Sequence, residues 1–125
     1  MGFGEAVTSV FRNYVTFSGR APRSEYWFWV LFALIVGVIA SILDAVIFPW
    51  SSAGSGPVSL IVSVGLLLPN ISVGIRRLHD IDRTGWWLLI ILIPLIGIIL
   101  LLVWFCTRGT LGPNRFGPDP LPPGA

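Results

Sequence analysis

Charge is scarce in this chain of 125 residues. Asp, Glu, Lys and Arg make up 11% of it, against about a quarter of a soluble domain. Lysine is absent, and the basic residues are all arginine. So little charge cannot solvate a globular surface, which excludes a soluble monomer. The polar, aromatic-poor composition of disordered chains is missing too, with 6 Trp and 8 Phe present. One cysteine excludes an intrachain disulfide framework and a Cys-only zinc site. There is one histidine and no GxSxG elbow, P-loop or HExxH sequence, so no catalytic residue and no cofactor is assigned. A net charge of +2 is too small for nucleic-acid binding.

What is present is apolar. Hydrophobic residues make up 54% of the chain and the mean hydropathy is +0.84. The expected fold is an all-α membrane protein forming a single membrane domain over residues 1–125. The first 25 residues lack the basic start, short apolar run and cleavage site of a signal peptide. Instead Phe3, Val7, Val10, Phe11 and Tyr14 share one helical face. That pattern predicts an amphipathic helix over 4–17, lying in the membrane interface, packed on the rest of the protein, or both.

Three apolar runs follow. Residues 26–48 are long enough for one crossing, with Ser24 as the expected N-cap, Glu25 at the positive end of the helix dipole and Tyr26, Trp27 and Trp29 as an aromatic belt. Residues 57–75 form a minimal second span, with Pro69 as a kink and Asn70 able to bond a neighbouring helix. Residues 86–105 give a third, interrupted by Pro94 and Gly97. Residues 106–125 read as a Pro/Gly-rich tail. Arg23-Ser24-Glu25-Tyr26-Trp27 and Arg83-Thr84-Gly85-Trp86-Trp87 are parallel sequences before the first and third runs, so both helices are expected to start at the same face. Arg12, Arg20, Arg23, Arg76, Arg77 and Arg83 put that face, and the N-terminus, in the cytoplasm. Three full transmembrane helices, preceded by the short interfacial helix, are the expected arrangement, and they leave Arg108 and Arg115 outside. Folding the third run into a re-entrant hairpin gathers all the arginines on one side, at the cost of irregular backbone in lipid.

The densest polar cluster is Arg76, Arg77, Leu78, His79, Asp80, Ile81, Asp82 and Arg83. On a continuing helix Asp80 can pair with Arg76 at i,i+4 or with Arg77 at i,i+3. One reading is a span end whose arginines meet phosphates while its acids balance them. Another is a binding site for an anionic headgroup or a partner, with arginine supplying bidentate contacts. Metal binding by His79, Asp80 and Asp82 is disfavoured, since adjacent side chains diverge and no second histidine exists. Cys106 reads as a small apolar residue where the third helix ends. Asp44, one turn from the end of its run, is expected to be interfacial and dispensable.

Phe17-Ser18-Gly19-Arg20 with Arg23-Ser24-Glu25-Tyr26-Trp27 resembles the opening signature of the YhaH-type small bacterial inner-membrane proteins, catalogued as domain of unknown function number 805. Arg76-Arg77-Leu78-His79-Asp80 with Arg83-Thr84-Gly85-Trp86 resembles the central signature. Gly109-Thr110, Asn114-Arg115-Phe116-Gly117, Asp119 and Pro120 resemble the closing one. The resemblance covers about residues 11 to 120. It implies a multi-pass inner-membrane protein and no known activity. It also implies that the polar motifs act as a set. The candidate lipid or partner site is therefore Arg20, Arg23, Glu25, Arg76, Arg77, His79, Asp80, Arg83, Asn114, Arg115 and Asp119. Expected partners are membrane lipids and a second copy or another membrane protein. The alternative function is an oligomeric small transporter or channel subunit. A charge network of Arg77, Asp80 and either Arg20 or Arg23 is expected to join the second run to the segment before the first.

Overall fold

A computed structural model of the chain describes residues 2–50 and 56–120. The uncharged connection expected over 51–56 lies outside them except for Gly56, as do the last five residues of the tail. The described residues form helix α1 (Phe3–Arg12), helix α2 (Arg23–Ile47), helix α3 (Pro57–Asp80), a 3-10 helix (Gly85–Leu92) and helix α4 (Ile96–Cys106). The only pairing of β type among them is an isolated bridge between Asn114 and Gly117 in the tail.

Helices α2 and α3 are the two that are long and apolar enough to cross a membrane. They lie side by side, antiparallel, and are tied at three levels. Asp44 near the end of α2 meets the start of α3, Trp29 meets Asn70, and Glu25 at the start of α2 meets Arg76 near the end of α3. Helix α3 does not stop at Ile75 as expected. It continues through both arginines to Asp80, because those arginines find acceptors inside the protein. At the start of α2 the N-cap is Pro22, not Ser24. Ser24 lies inside the first turn and its hydroxyl is buried without a partner among the described residues.

Helix α1 is shorter than the expected 4–17 and packs on the base of α2. Ala6 and Val10 are fully buried, and Val10 joins Ala21, Trp29 and Val73 in one apolar cluster. Phe11 meets Trp29 and Phe32 edge-on at 5.2 and 5.7 Å between ring centres. The chain after α1 is pinned to α3, where Tyr14 donates to the Gly65 carbonyl and Ser72 donates to Asn13. Trp29 is 1% exposed. It is therefore a core residue, and the expected aromatic belt loses that member.

The single helix expected over 86–105 is not formed. Two short helices replace it, and the chain reverses between them. Trp87 at the start of the first arm packs on Trp104 at the end of the second, 5.7 Å between ring centres. Each arm is about 16 Å long, about half of a ~30 Å hydrocarbon core. Local chemistry explains the reversal. Pro94 has no N–H to continue a helix, and Leu95 takes a left-handed backbone, φ 67°. Gly97 lies so close to the Ile90 carbonyl that a Cβ would collide with it. The turn is bonded within itself, Ile93 N–H to Ile90, Ile96 N–H to Pro94 and Gly97 N–H to Ile93, at 2.8–2.9 Å. Those internal bonds remove much of the cost that irregular backbone carries in lipid.

Asp44 also departs from expectation. It is 1% exposed, and its two carboxylate oxygens accept the Val58 and Ser59 backbone N–H groups, each at 2.9 Å. Those are orphan donors of the first turn of α3, so α2 supplies the cap of α3. Gly56 sits against the same carboxylate, with no room for a Cβ. Asp44 is thus a helix cap rather than a dispensable residue. Asp44→Ala should lower the thermal midpoint in detergent by several degrees, and Asp44→Asn by less, because the amide keeps one acceptor oxygen. A melt of Asp44→Ala that overlays wild type would refute the cap.

Candidate functional site

The polar residues gather at one end of the molecule, where α2 starts, α3 ends, both hairpin arms terminate and the tail folds back. Arg76 and Arg77 are consecutive on α3 and point about 100° apart. Each therefore serves a different neighbour.

Arg77 faces the hairpin. Its Nη1 donates to Asp80 Oδ2 at 2.9 Å, the i,i+3 alternative rather than Arg76 with Asp80. Its Nε and Nη2 donate to the carbonyls of Phe105, Trp104 and Thr107. These carbonyls belong to the last turn of α4 and its C-cap Thr107, so one fully buried guanidinium caps α4 and neutralises Asp80. Arg20, from the segment between α1 and α2, approaches from the other side. Its Nε donates to Asp80 Oδ1 at 3.0 Å. Its two terminal nitrogens reach the carbonyls of Thr110, Gly112 and Asp80 at 2.6, 2.7 and 3.2 Å. Asp80 is 1% exposed and closes the knot with its own carbonyl, which accepts the Thr110 N–H at 2.7 Å. Gly109 passes so near the carboxylate that any Cβ would strike it.

Arg76 faces α2 and α1. Its Nη1 lies 2.9 and 3.2 Å from the two oxygens of Glu25, and Ser9 on α1 donates to the same carboxylate. The rest of this guanidinium, Nε and Nη2, is buried without an acceptor among the described residues. Glu25 is therefore its one compensating charge. The Ala21 N–H donates to the Arg76 carbonyl at 3.0 Å, which fixes the segment carrying Arg20.

His79 holds the tail. Its Nδ1 is 3.0 Å from the Gly19 carbonyl, which can only accept, so Nδ1 carries the proton. Its ring stacks on Phe116, 4.0 Å apart and 2° from parallel, and its carbonyl accepts from Asn114 at 2.9 Å. Arg115 pairs with Asp82 at 3.2 Å, and Asp119 pairs with Arg108 at 3.5 Å and accepts the Gly112 N–H. Arg23 is not part of the Asp80 knot. It donates to the Cys106 carbonyl at 3.1 Å, beside the bond from Trp27 to Phe105. Arg83 lies over the Trp104 and Trp87 rings, at 4.4 and 5.6 Å.

Three contributors escaped the sequence reading. Ser9 looks like an unremarkable polar position on an amphipathic helix. Asp82 was grouped with a metal reading but pairs with Arg115. The carbonyls of 104–112 carry no side-chain signature at all. Gly109-Thr110, conspicuous only as part of the closing motif, was the available signal for the last group.

A buried carboxylate between two guanidinium groups should couple to them strongly. Asp80→Ala is expected to destabilise by about 3–5 kcal/mol, because it strands buried positive charge. A double-mutant cycle of Asp80→Ala with Arg20→Ala should be far from additive, whereas Asp80→Ala with Arg23→Ala should be close to additive. Additivity in the first cycle would refute the knot. Gly109→Ala should destabilise without removing any hydrogen-bonding group, and a wild-type melt for it would refute the close approach of the tail.

Comparison with known proteins places this arrangement. The family model described as "Protein of unknown function (DUF805)" matches residues 14–118. Inner membrane protein YhaH of Escherichia coli strain K12 is 44% identical over 111 residues, covering 89% of this chain and 92% of its own length. Inner membrane protein YhaI of the same strain is 44% identical over 115 residues, covering 90% and 92%. No solved structure matches the chain. The matched region includes the polar residues from Arg20 to Arg115 together with both long apolar helices. The chain belongs to the DUF805 family of inner-membrane proteins.

Proposed function

We propose that the chain is a non-enzymatic integral membrane protein with two full spans and one re-entrant hairpin, whose polar end faces the cytoplasm and meets anionic headgroups. The observation that carries this reading is the segregation of arginine. All eight lie at or within about a turn of the polar end, while the described residues of the opposite end carry only Asp44. That asymmetry is the positive-inside pattern in its strongest form. In this reading both termini lie on the cytoplasmic side, α1 near the interface, and the hairpin turn at mid-membrane depth.

In this reading the cluster divides into two roles. Arg20, Arg76, Arg77, Glu25 and Asp80 are buried and ion-paired with one another, so they hold the architecture and are not exposed to a ligand. Contact with headgroups falls to Arg12, Arg23 and Arg83, which no carboxylate pairs among the described residues. His79 takes a structural part in this reading, with Nδ1 bonded to the Gly19 carbonyl and its ring stacked on Phe116.

Two measurements test the proposal. Reporter fusions at the two termini should both report the cytoplasm, and a periplasmic C-terminus would overturn the hairpin topology. In native mass spectrometry from mild detergent, phosphatidylglycerol should be retained in preference to phosphatidylcholine. Equal retention would overturn the headgroup role.

A further inference from the structure

Arg83 differs from every other arginine of the buried and tail clusters. Its guanidinium has no hydrogen-bond acceptor among the described residues. What holds it is a corner made of two indoles, Trp87 and Trp104, set 80° apart. Cation–π contact uses no hydrogen-bond acceptor, so the N–H groups of Arg83 keep their capacity for an anion. A guanidinium held over two rings is also partly preoriented, so it gives up less freedom when a phosphate binds bidentately. Beside it, between α3 and the 3-10 helix, runs an apolar groove of about 420 Å³ lined by Ile71, Ile75, Gly85, Trp86, Leu88 and Leu89. The groove begins two residues from Arg83. It descends about 8 Å along the 3-10 helix, away from the polar end. Trp86 and Leu89 leave it open outward, at 79% and 55% exposed. Gly85 approaches Ile75 too closely for a larger residue, which keeps the two walls of the groove together at its mouth.

We infer that Arg83, Trp87 and Trp104, with the groove beside Gly85, form a binding site for one anionic phospholipid. The phosphate sits on the N–H groups of Arg83 and one acyl chain lies in the groove. The occupant follows from charge and shape together: an unpaired cation held over two indoles lies two residues before the first lining residue of an apolar channel that runs away from the polar end. A soluble phosphate would use the cation and leave the channel empty. The inference rests on the topology and headgroup role proposed above, and names the place where one lipid is held.

Native mass spectrometry of the full chain with phosphatidylglycerol tests it. Wild type should retain one tightly held lipid that excess inorganic phosphate does not displace. Arg83→Ala should weaken that lipid about tenfold, the scale of one charge-assisted contact. Arg83→Lys should weaken it as well, because an ammonium keeps the charge but lacks the planar fork. Leu89→Trp, which fills the groove and leaves the charge intact, should also reduce retention. Arg108→Ala removes an equal charge already paired with Asp119, and should hold the lipid as wild type does. Arg83→Ala or Arg83→Lys binding like wild type overturns the site, as does displacement by inorganic phosphate or an unaffected Leu89→Trp. If wild type itself does not distinguish phosphatidylglycerol from phosphatidylcholine, the broader headgroup reading falls together with the site. Selective wild type with unaffected variants sinks the site alone.

Discussion

The Asp80 carboxylate, held between Arg20 and Arg77, is the contact on which the rest of the polar end depends. A carboxylate at 1% exposure is tolerable only when paired and fully hydrogen-bonded. Two guanidinium groups more than neutralise it, and their remaining N–H groups must find acceptors of their own. They find them in backbone carbonyls: those at the end of α4 for Arg77, and those of the tail for Arg20. One buried acid thus fixes four pieces of chain at once, namely the segment before α2, the end of α3, the end of the hairpin and the tail. Hydrophobic packing could not do this at the edge of a membrane, where lipid is as apolar as any side chain.

The hairpin and the knot require each other. Arg77 can cap α4 only if the end of α4 returns to the end of α3. A continuous third span would carry the Phe105 and Thr107 carbonyls about 30 Å away, leaving Arg77 short of acceptors and Arg20 without the tail. Conversely, the hairpin's own fold is thin. Both arms are exposed for most of their length, and their shared core is Leu78, Leu101 and Phe105 with Leu88 and Ile90 around it. The guanidinium at its base is what anchors so small a core.

Much of this was legible in the sequence. The two long spans follow from apolar length, and the coupling of Asn70 to a neighbouring helix from its position. The repeated Arg-hydroxyl-aromatic sequence points to one face for the starts of α2 and the third run, and the structure agrees: Arg83 lies over the Trp104 ring, next to the end of α4 that Arg23 and Trp27 bond. What misled was counting. Twenty apolar residues are enough for a crossing, so length argued for a third span, while Pro94 and Gly97 argued for a reversal. The decisive facts, a left-handed Leu95 and the approach of Gly97 to Ile90, are properties of backbone geometry that composition does not display. Asp44 was misread for a related reason. Its partners are two backbone N–H groups of another helix, and backbone donors leave no mark in a sequence.

The distribution of acids bears on what the molecule can do. Of six acidic residues, Asp80, Glu25, Asp82 and Asp119 are ion-paired with arginine, and Asp44 caps a helix. That leaves Glu5, on the exposed side of α1. A proton or cation pathway needs carboxylates that can change partner within the membrane. Here the one acid deep at the far end is fixed by two backbone N–H groups, and those at the polar end by guanidinium groups. The arginines are not exhausted in the same way. With Arg20, Arg76, Arg77, Arg108 and Arg115 paired, Arg12, Arg23 and Arg83 remain without a carboxylate among the described residues, so the polar end presents net positive charge. A surface whose acids are committed internally and whose surplus is arginine selects its partner by sign. In the topology proposed above, that end meets the membrane edge, where anionic headgroups are the complementary chemistry most densely at hand.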